Sequence, residues 1–325
     1  MALQEPVIDG RSAPRTEPTE RPRTPSELQR PAFLVNFPFS YSTEVANNAW
    51  MTDLAEEERK PDEKRAMSQF LNLYSFLASE GLVYLLPTPR LEDLQDLVFT
   101  ANLGIVLEHL DPSPVVVSNF SSEPRRGESE VGLSFFESMG YEVHCAPHRF
   151  EGEADLKHLH DNVYVGGYGL RSERESYEWM EREFDIEIVK VLETDPYLYH
   201  LDCTIFPLTR EDTLVCTEMF EPEEVAALER HTNVIEVGVD ECYSGMCNSV
   251  RLSNTILNGS SLHDLRAGSE DYHYEVKKNR RLEDIAVDHA MEVSYFDLGE
   301  YMKGGALLSC MVMHLNRYSY AFRLI

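Results

Sequence analysis

Lysine is scarce in this chain: seven among 325 residues, against 22 arginines. Acids outnumber the two basic types together, 57 to 29, and leave a net charge of −28. A field this negative repels phosphate, which excludes nucleic acid as a partner. The acids are spread along the whole chain. That favours a solvated acidic surface of the kind found in salt-adapted proteins over one patch that steers a cationic substrate. Long apolar runs are lacking too. None approaches the roughly 20 residues that a membrane helix needs, so no membrane partner is expected. The first 30 residues carry no apolar core of signal-peptide type, and the expected location is cytoplasmic.

The six cysteines are dispersed, which fits free thiols in a reducing compartment and not a disulfide framework. Cys242 and Cys247 form the one close pair. A zinc site wants a second pair nearby, and His158 with His160 is a poor substitute, so neither a metal nor another cofactor is expected. No linker rich in Gly, Ser or Pro divides residues 32–325. Residues 1–30, rich in Pro, Arg, Glu and Thr, bury too little to offset ordering and read as a disordered tail. One catalytic domain is expected over 31–325; whether it forms homo-oligomers is left open.

What is present alternates between strand and helix. Residues 32–37, 82–86, 98–100, 115–117, 141–143, 186–192, 234–237 and 307–315 read as strands. Met67, Phe70, Leu71, Tyr74 and Leu77 recur at helical spacing over 63–80, with Gly81 at the closing position. Further helices are expected over 128–139, closed by Gly140, and over 222–230 and 297–303. Ser172 and Glu175 form a capping-box signature for another, ending near 184. The pattern is α/β, built from similar strand–helix–strand units.

Four segments carry reactive side chains beside strand-like runs. Phe150-Glu151-Gly152-Glu153-Ala154-Asp155 puts three carboxylates beside a glycine, which suits a cation but also describes an acidic turn. In Tyr199-His200-Leu201-Asp202, a strand would aim His200 and Asp202 to one face. Lys303-Gly304-Gly305 precedes Cys310; two glycines let backbone approach a ligand, although a lone cysteine in an apolar run is commonly inert. Asn102 ends Val98-Phe99-Thr100-Ala101-Asn102. Taken together, Glu, His and Cys in this order are the parts of a thiol nucleophile, its acid/base and an orienting carboxylate.

In these motifs the chain resembles the guanidino-group modifying enzymes of the pentein fold, which include arginine deiminases, dimethylarginine hydrolases, arginine dihydrolases and amidinotransferases. The resemblance covers about residues 32–325. It implies an α/β-propeller with a pseudo-fivefold arrangement of ββαβ-type units. It implies Cys310 as nucleophile, His200 as acid/base and Glu151 as the group that orients it. Arg125, in Arg125-Arg126-Gly127-Glu128, and Arg171, in Gly167-Tyr168-Gly169-Leu170-Arg171, resemble the arginines that hold a substrate carboxylate. Asp202 and Asn102 are implied at the guanidinium. Asn48, in Asn47-Asn48-Ala49-Trp50-Met51, falls on a further substrate-binding asparagine, and Gly245-Met246-Cys247-Asn248-Ser249-Val250 resembles a family segment upstream of the nucleophile. Ala49 in place of a proline, residues 35–41 without the usual Pro-Pro pattern, and Glu153-Ala154 in place of small residues are departures near the pocket. Asn102, where deiminases place an Asp, makes arginine dihydrolases the nearest likeness. The expected activity is hydrolysis of arginine or a close analogue through an S-amidino intermediate. Amidino transfer to an amine is the alternative, and a non-catalytic binding protein is a reading of another class.

Overall fold

The structure, a computed structural model, describes residues 23–321. Most of the expected tail therefore lies outside the described residues. The ordered chain begins before residue 31, however. Pro25–Glu27 form a 3-10 turn, and the Asn316 side-chain amide donates to the carbonyls of Pro25, Leu28 and Arg30. Three carbonyls gathered on one buried amide hold a segment whose composition alone offers little to bury.

Five sheets of three strands each are present among the described residues, and all have one pattern. In the first, β1 (Ala32–Asn36) runs parallel to β2 (Leu82–Leu86), and the helix Glu63–Glu80 connects them. In the second, β3 (Gly104–Val106) is antiparallel to β4 (Val115–Val117), and the helix Arg126–Ser138 crosses to β5 (Val143–Cys145), parallel to β4. β6 (Leu156–His160), β7 (Val163–Tyr168) and β8 (Glu187–Leu192) repeat this around the helix Arg174–Glu183. So do β9 (Ile205–Pro207), β10 (Asp212–Val215) and β11 (Asn233–Glu236) around Pro222–Leu228. The last unit is β12 (Ser249–Leu252), β13 (Thr255–Gly259) and β14 (Glu292–Phe296) around Glu270–Asp288. β15 (Met313–His314) then pairs antiparallel with β1, supplying the strand that the first unit lacks. A parallel neighbour needs a crossover, so a helix follows each middle strand. This is the pentein propeller of five ββαβ units.

Several local expectations shift. The helix Glu63–Glu80 buries Ala66, Phe70, Leu73 and Leu77, one residue round from the expected face, and Leu71 is exposed. Gly81 is extended, not left-handed; a Cβ there would come within 2.9 Å of the Pro31 carbonyl oxygen, so close packing is what requires glycine. Gly140, with φ +85, closes its helix as expected. Ser172 caps nothing: its hydroxyl is drawn instead to Asp155, and the helix begins at Arg174 with no side-chain cap.

The largest corrections fall on the chemistry-bearing segments. Residues 98–100 and 307–315 are not continuous strands, and His200 and Asp202 do not alternate along one. Each segment is a single 3-10 turn leading into the first strand of a sheet: Thr100–Leu103 before β3, Gly152–Ala154 before β6, Leu201–Cys203 before β9 and Ser309–Met311 before β15. Polar side chains favour these turns because they satisfy neighbouring backbone: the Thr100 hydroxyl lies 2.8 Å from the Leu34 carbonyl oxygen and 2.9 Å from that of Met311. The turns thus bring Asn102, Glu151, His200, Asp202 and Cys310 in from different units.

Candidate active site

Cys310 is buried within the turn Ser309–Met311. Its thiol donates to Asp202 Oδ2 at 3.5 Å, and Asn248 Nδ2 donates to Cys310 Sγ at 3.5 Å. Asn248 also accepts the Ser309 amide at 2.8 Å through Oδ1, so one side chain clamps both the thiol and its backbone. The Ser309 hydroxyl donates to Asp202 Oδ2, and the Cys203 thiol lies 3.7 Å from Asp202 Oδ1. Burial, reinforced by the Asp202 charge, pushes the Cys310 thiol up to about 12. At neutral pH it rests as the protonated thiol; a cation beside it would offset Asp202 and favour the thiolate.

His200 Nε2 lies 2.8 Å from Glu151 Oε2, and both residues are buried. The Asn102 side-chain amide is 3.4 Å from the same nitrogen. Nε2 is thus committed to Glu151. Burial opposes the Glu151 charge, but Arg171, the His200 hydrogen bond and Arg125 outweigh it and hold the carboxyl well below its ordinary range. Ser121 Oγ donates to Glu151 Oε1 at 2.9 Å. Beneath this pair, Asp155 accepts the Leu201 amide at 3.3 Å and the Ser172 hydroxyl at 2.5 Å, and Ser172 Oγ accepts the Glu151 amide at 3.1 Å. Asp155 and Ser172 therefore tie the Glu151 turn to the His200 turn.

The two arginines differ. Arg125 is buried and spends Nε and Nη2 on Glu128, the latter at 2.8 Å, with Asp96 at 3.8 Å and Glu151 at 3.9 Å. Burial works against its charge, but these three carboxylates prevail. Arg171 is more open. It stacks over Tyr199 at 4.8 Å, stands 3.8 Å from Glu151 and donates to the Asn47 carbonyl at 2.5 Å.

Asn47, Asp96, Asn102, Arg125, Arg171, Tyr199, His200 and Cys310 all line one charged chamber. It is tight, about 10 Å³. A mouth of about 480 Å³ adjoins it past Asn47, Arg171 and Tyr199. Asp202 lies behind Cys310, not on this wall. Asn48 lines the mouth, not the chamber itself: its Oδ1 accepts the Met51 amide and its Nδ2 donates to the Gly304 carbonyl at 2.9 Å. It holds the glycine turn, where a side chain at Gly305 (φ +77) would collide with it. A wider groove of about 290 Å³ near Arg210, Arg251 and His289 contains none of the motif residues.

Asp96 escapes a reading by motif. It is buried, its Oδ2 accepts Asn47 Nδ2 at 2.7 Å, and its Oδ1 has no hydrogen-bond partner among the described residues. A buried carboxyl oxygen without a donor, on the wall of this chamber, is open to a hydrogen bond from a ligand. Asn248 and Asp155 stand in segments that the sequence had already marked; only their contacts show what they do.

Residues 35–317 match the family model described as N,N dimethylarginine dimethylhydrolase, eukaryotic. The bifunctional arginine dihydrolase/ornithine cyclodeaminase AgrE of Nostoc sp. is 26% identical over 290 residues, which are 87% of this chain and 38% of that relative. This chain thus spans less than half of the bifunctional protein. The N(G),N(G)-dimethylarginine dimethylaminohydrolase of Mycobacterium tuberculosis is 26% identical over 286 residues, 86% of this chain and 84% of the relative. Among solved structures, the product-bound N-terminal domain of ArgZ, an arginine dihydrolase from the ornithine-ammonia cycle in cyanobacteria, aligns with a TM-score of 0.75 at 25% identity. That alignment covers 88% of this chain and 97% of the domain.

Proposed function

The chain belongs to the N,N dimethylarginine dimethylhydrolase family, within the pentein guanidino-group enzymes, and on that premise we propose that it hydrolyses arginine or a close analogue at the guanidinium carbon. The observation that carries this reading is the meeting of the Cys310 thiol, the His200–Glu151 pair and the orphaned Asp96 oxygen in one buried chamber. The guanidinium enters as a cation, with N–H groups toward Asp96 and Asn102. Its charge offsets Asp202 and draws Cys310 toward the thiolate. The thiolate attacks the guanidinium carbon, and His200, charged and held by Glu151, protonates the leaving nitrogen. Neutral His200 then takes a proton from water as the water attacks the S-amidino carbon and releases the thiolate.

Ammonia release from L-arginine with no amine acceptor present tests the reading. Turnover that appears only when an amine is added would make the protein an amidinotransferase.

Asn102 bears on how far hydrolysis runs. An Asp there would pair with a guanidinium but gain little from a neutral ureido group, so citrulline would leave. With Asn102 the ureido product can stay for a second attack. Wild type is expected to yield ornithine from arginine, and Asn102→Asp to shift product toward citrulline, read by chromatography of the reaction mixture. Citrulline alone from wild type would refute the two-round reading and leave the first round intact.

Arg171 is the better carboxylate ligand of the two arginines, because Arg125 is already ringed by acids. A charge-assisted hydrogen bond is worth about 1.5–3 kcal/mol. Arg171→Ala should therefore raise KM for L-arginine by roughly 10- to 100-fold, and KM for agmatine, which has no carboxylate, far less. Equal losses on both would remove Arg171 from that role.

A further inference from the structure

Lys278, on the helix Glu270–Asp288, is fully buried. Its ammonium donates to Asn258 Oδ1 at 2.8 Å and to the Gly259 carbonyl at 2.8 Å, and stands 3.0 Å from Glu275 Oε1. Burial works against the charge, and Glu275 supports it. The inward face of the same helix is otherwise served by Leu282, Ile285 and Ala286. Packing alone asks for another residue of that kind. An enclosed ammonium is costly unless its protons are used. Here they go to Asn258 and Gly259, the last two residues of β13.

Asn258 is also fully buried. An ammonium only donates, so Asn258 Oδ1 must face Lys278 and Nδ2 must face away. Nδ2 donates to the Gly245 carbonyl and to the Ser249 hydroxyl, each at 2.9 Å, with the carbonyls of Met246 and Asn248 at 3.4 and 3.5 Å. Ser249 Oγ in turn donates to the Met246 carbonyl at 2.9 Å. One amide thus gathers the turn 245–249 that leads into β12. That turn carries Asn248, whose side chain donates to Cys310 Sγ and accepts the Ser309 amide. A buried line of hydrogen bonds therefore runs from Lys278 through Asn258 and the turn to the thiol. Neither Asn258 nor Lys278 lines the chamber or its mouth.

Resting on the reading of Cys310 as the nucleophile of a guanidino hydrolase, we infer that Asn258 and Lys278 are positioning residues. Together they fix the turn 245–249 so that the Asn248 amide stays aimed at the Cys310 sulfur. The link to chemistry is the thiolate. A hydrogen bond from Asn248 favours the charged sulfur and pulls against burial and Asp202, which hold the thiol at about 12. Without Lys278 the Asn258 amide is free to turn over. Its oxygen would then face the Gly245 carbonyl, and two acceptors repel. The turn shifts, and Asn248 leaves the sulfur. The other groups that act on Cys310 are Asp202, Cys203, Tyr199 and His200, with Lys157 farther off. Among the described residues none of them is a hydrogen-bond partner of Asn258 or Lys278, so the effect passes through Asn248.

Asn258→Asp tests this with almost no change of shape. It keeps an acceptor for Lys278 and removes both N–H donors. A hydrogen bond to a charged group is worth roughly 10- to 100-fold. The kcat for L-arginine should fall by about that factor, with KM nearly unchanged. Alkylation of Cys310 by iodoacetamide, followed from pH 8 to 10, should slow at every pH. Its factor is smaller, because a more basic thiolate is also the better nucleophile. Lys278→Met should reproduce both losses, and Lys278→Gln, which keeps an N–H for Asn258, should restore much of each. In an Asn248→Ala background, Asn258→Asp should add nothing to either loss, since the route is already cut. Alkylation as fast as in wild type, a change in KM alone, or full additivity with Asn248→Ala overturns the inference. Should Asn258→Asp fail to fold, the two Lys278 variants decide by the same readouts, and equal rates in both overturn it. Alkylation needs no substrate. Absent turnover of L-arginine by wild type would strike the proposed reaction, while slowed alkylation in Asn258→Asp would still uphold the bracing of Cys310.

Discussion

Cys310→Ser is expected to abolish turnover while the fold survives. Serine is close in size, and Asn248 and Asp202 can still hydrogen-bond a hydroxyl at that place. The alkoxide, however, is far harder to form than the thiolate. Loss of a covalent nucleophile of this kind costs on the order of 10⁶ in kcat. The remaining five cysteines provide internal controls. Cys216, Cys242 and Cys247 pack in an apolar cluster, and Cys145 is exposed. Cys203 is the demanding one, since its thiol faces the other oxygen of Asp202. Cys203→Ala should nevertheless keep most of the activity. An inactive Cys203→Ala beside an active Cys310→Ser would reverse the assignment. The raised thiol gives an independent check. Below its value of about 12 the thiolate fraction grows tenfold per pH unit, so alkylation of Cys310 by neutral iodoacetamide should climb at that slope between pH 8 and 10. A plateau near pH 8 would mean that Asp202 and burial do not hold the proton. Mass spectrometry of the labelled peptide reads the rate without any assay of activity.

The motifs at Glu151, His200 and Cys310 could be read from the sequence because reactive residues there sit against glycines and apolar runs, a combination that local packing alone does not demand. The backbone that carries them could not. A run such as residues 307–315 has strand composition, yet Ser309–Met311 turn because Asn248 and Asp202, distant in sequence, satisfy that turn. Ser172 shows the same limit: its spacing to Glu175 signals a cap, but Asp155 offers a buried acceptor that outcompetes the helix end. The helix Glu270–Asp288 was missed because charged residues crowd its sequence; only Leu282, Ile285 and Ala286, with Glu275 and Lys278, are buried. Lys278 stays inside by reaching Asn258, Gly259 and Glu275. The fivefold repetition is likewise invisible as a sequence repeat. Each unit needs only a hairpin, a helix and a parallel return, and many sequences meet that requirement. Asp96 eluded motif reading because its evidence is an unpaired oxygen, a property of the assembled chamber.

Glu151→Gln carries the second large effect, and it falls on both stability and chemistry. The residue is fully buried, with His200 at 2.8 Å, Arg171 at 3.8 Å and Arg125 at 3.9 Å. Glutamine keeps the shape and can still accept from Ser121, but it removes the negative charge that these groups share. Stripping one partner from a buried charge cluster costs roughly 3–5 kcal/mol. The pH dependence follows from the sign of the shift. Glu151 is held below its unfolded value, so its ionisation stabilises the fold above that unfolded value, and the stabilisation is lost as pH falls toward the depressed folded one. Wild type should therefore lose stability on acidification over a range in which Glu151→Gln, already without that charge, changes less. Denaturant midpoints measured from pH 7 down to pH 3 compare the two slopes. Identical slopes would mean that Glu151 is not ionised in the fold. For catalysis, His200 loses the anion that keeps Nε2 occupied and supports the imidazolium needed at the leaving nitrogen. In a serine-protease triad the corresponding Asp-to-Asn change costs about 10⁴ in kcat, and a loss of the same order is expected here, with KM for arginine changing much less. A loss confined to KM would place Glu151 among the groups that bind substrate and free His200 from its control.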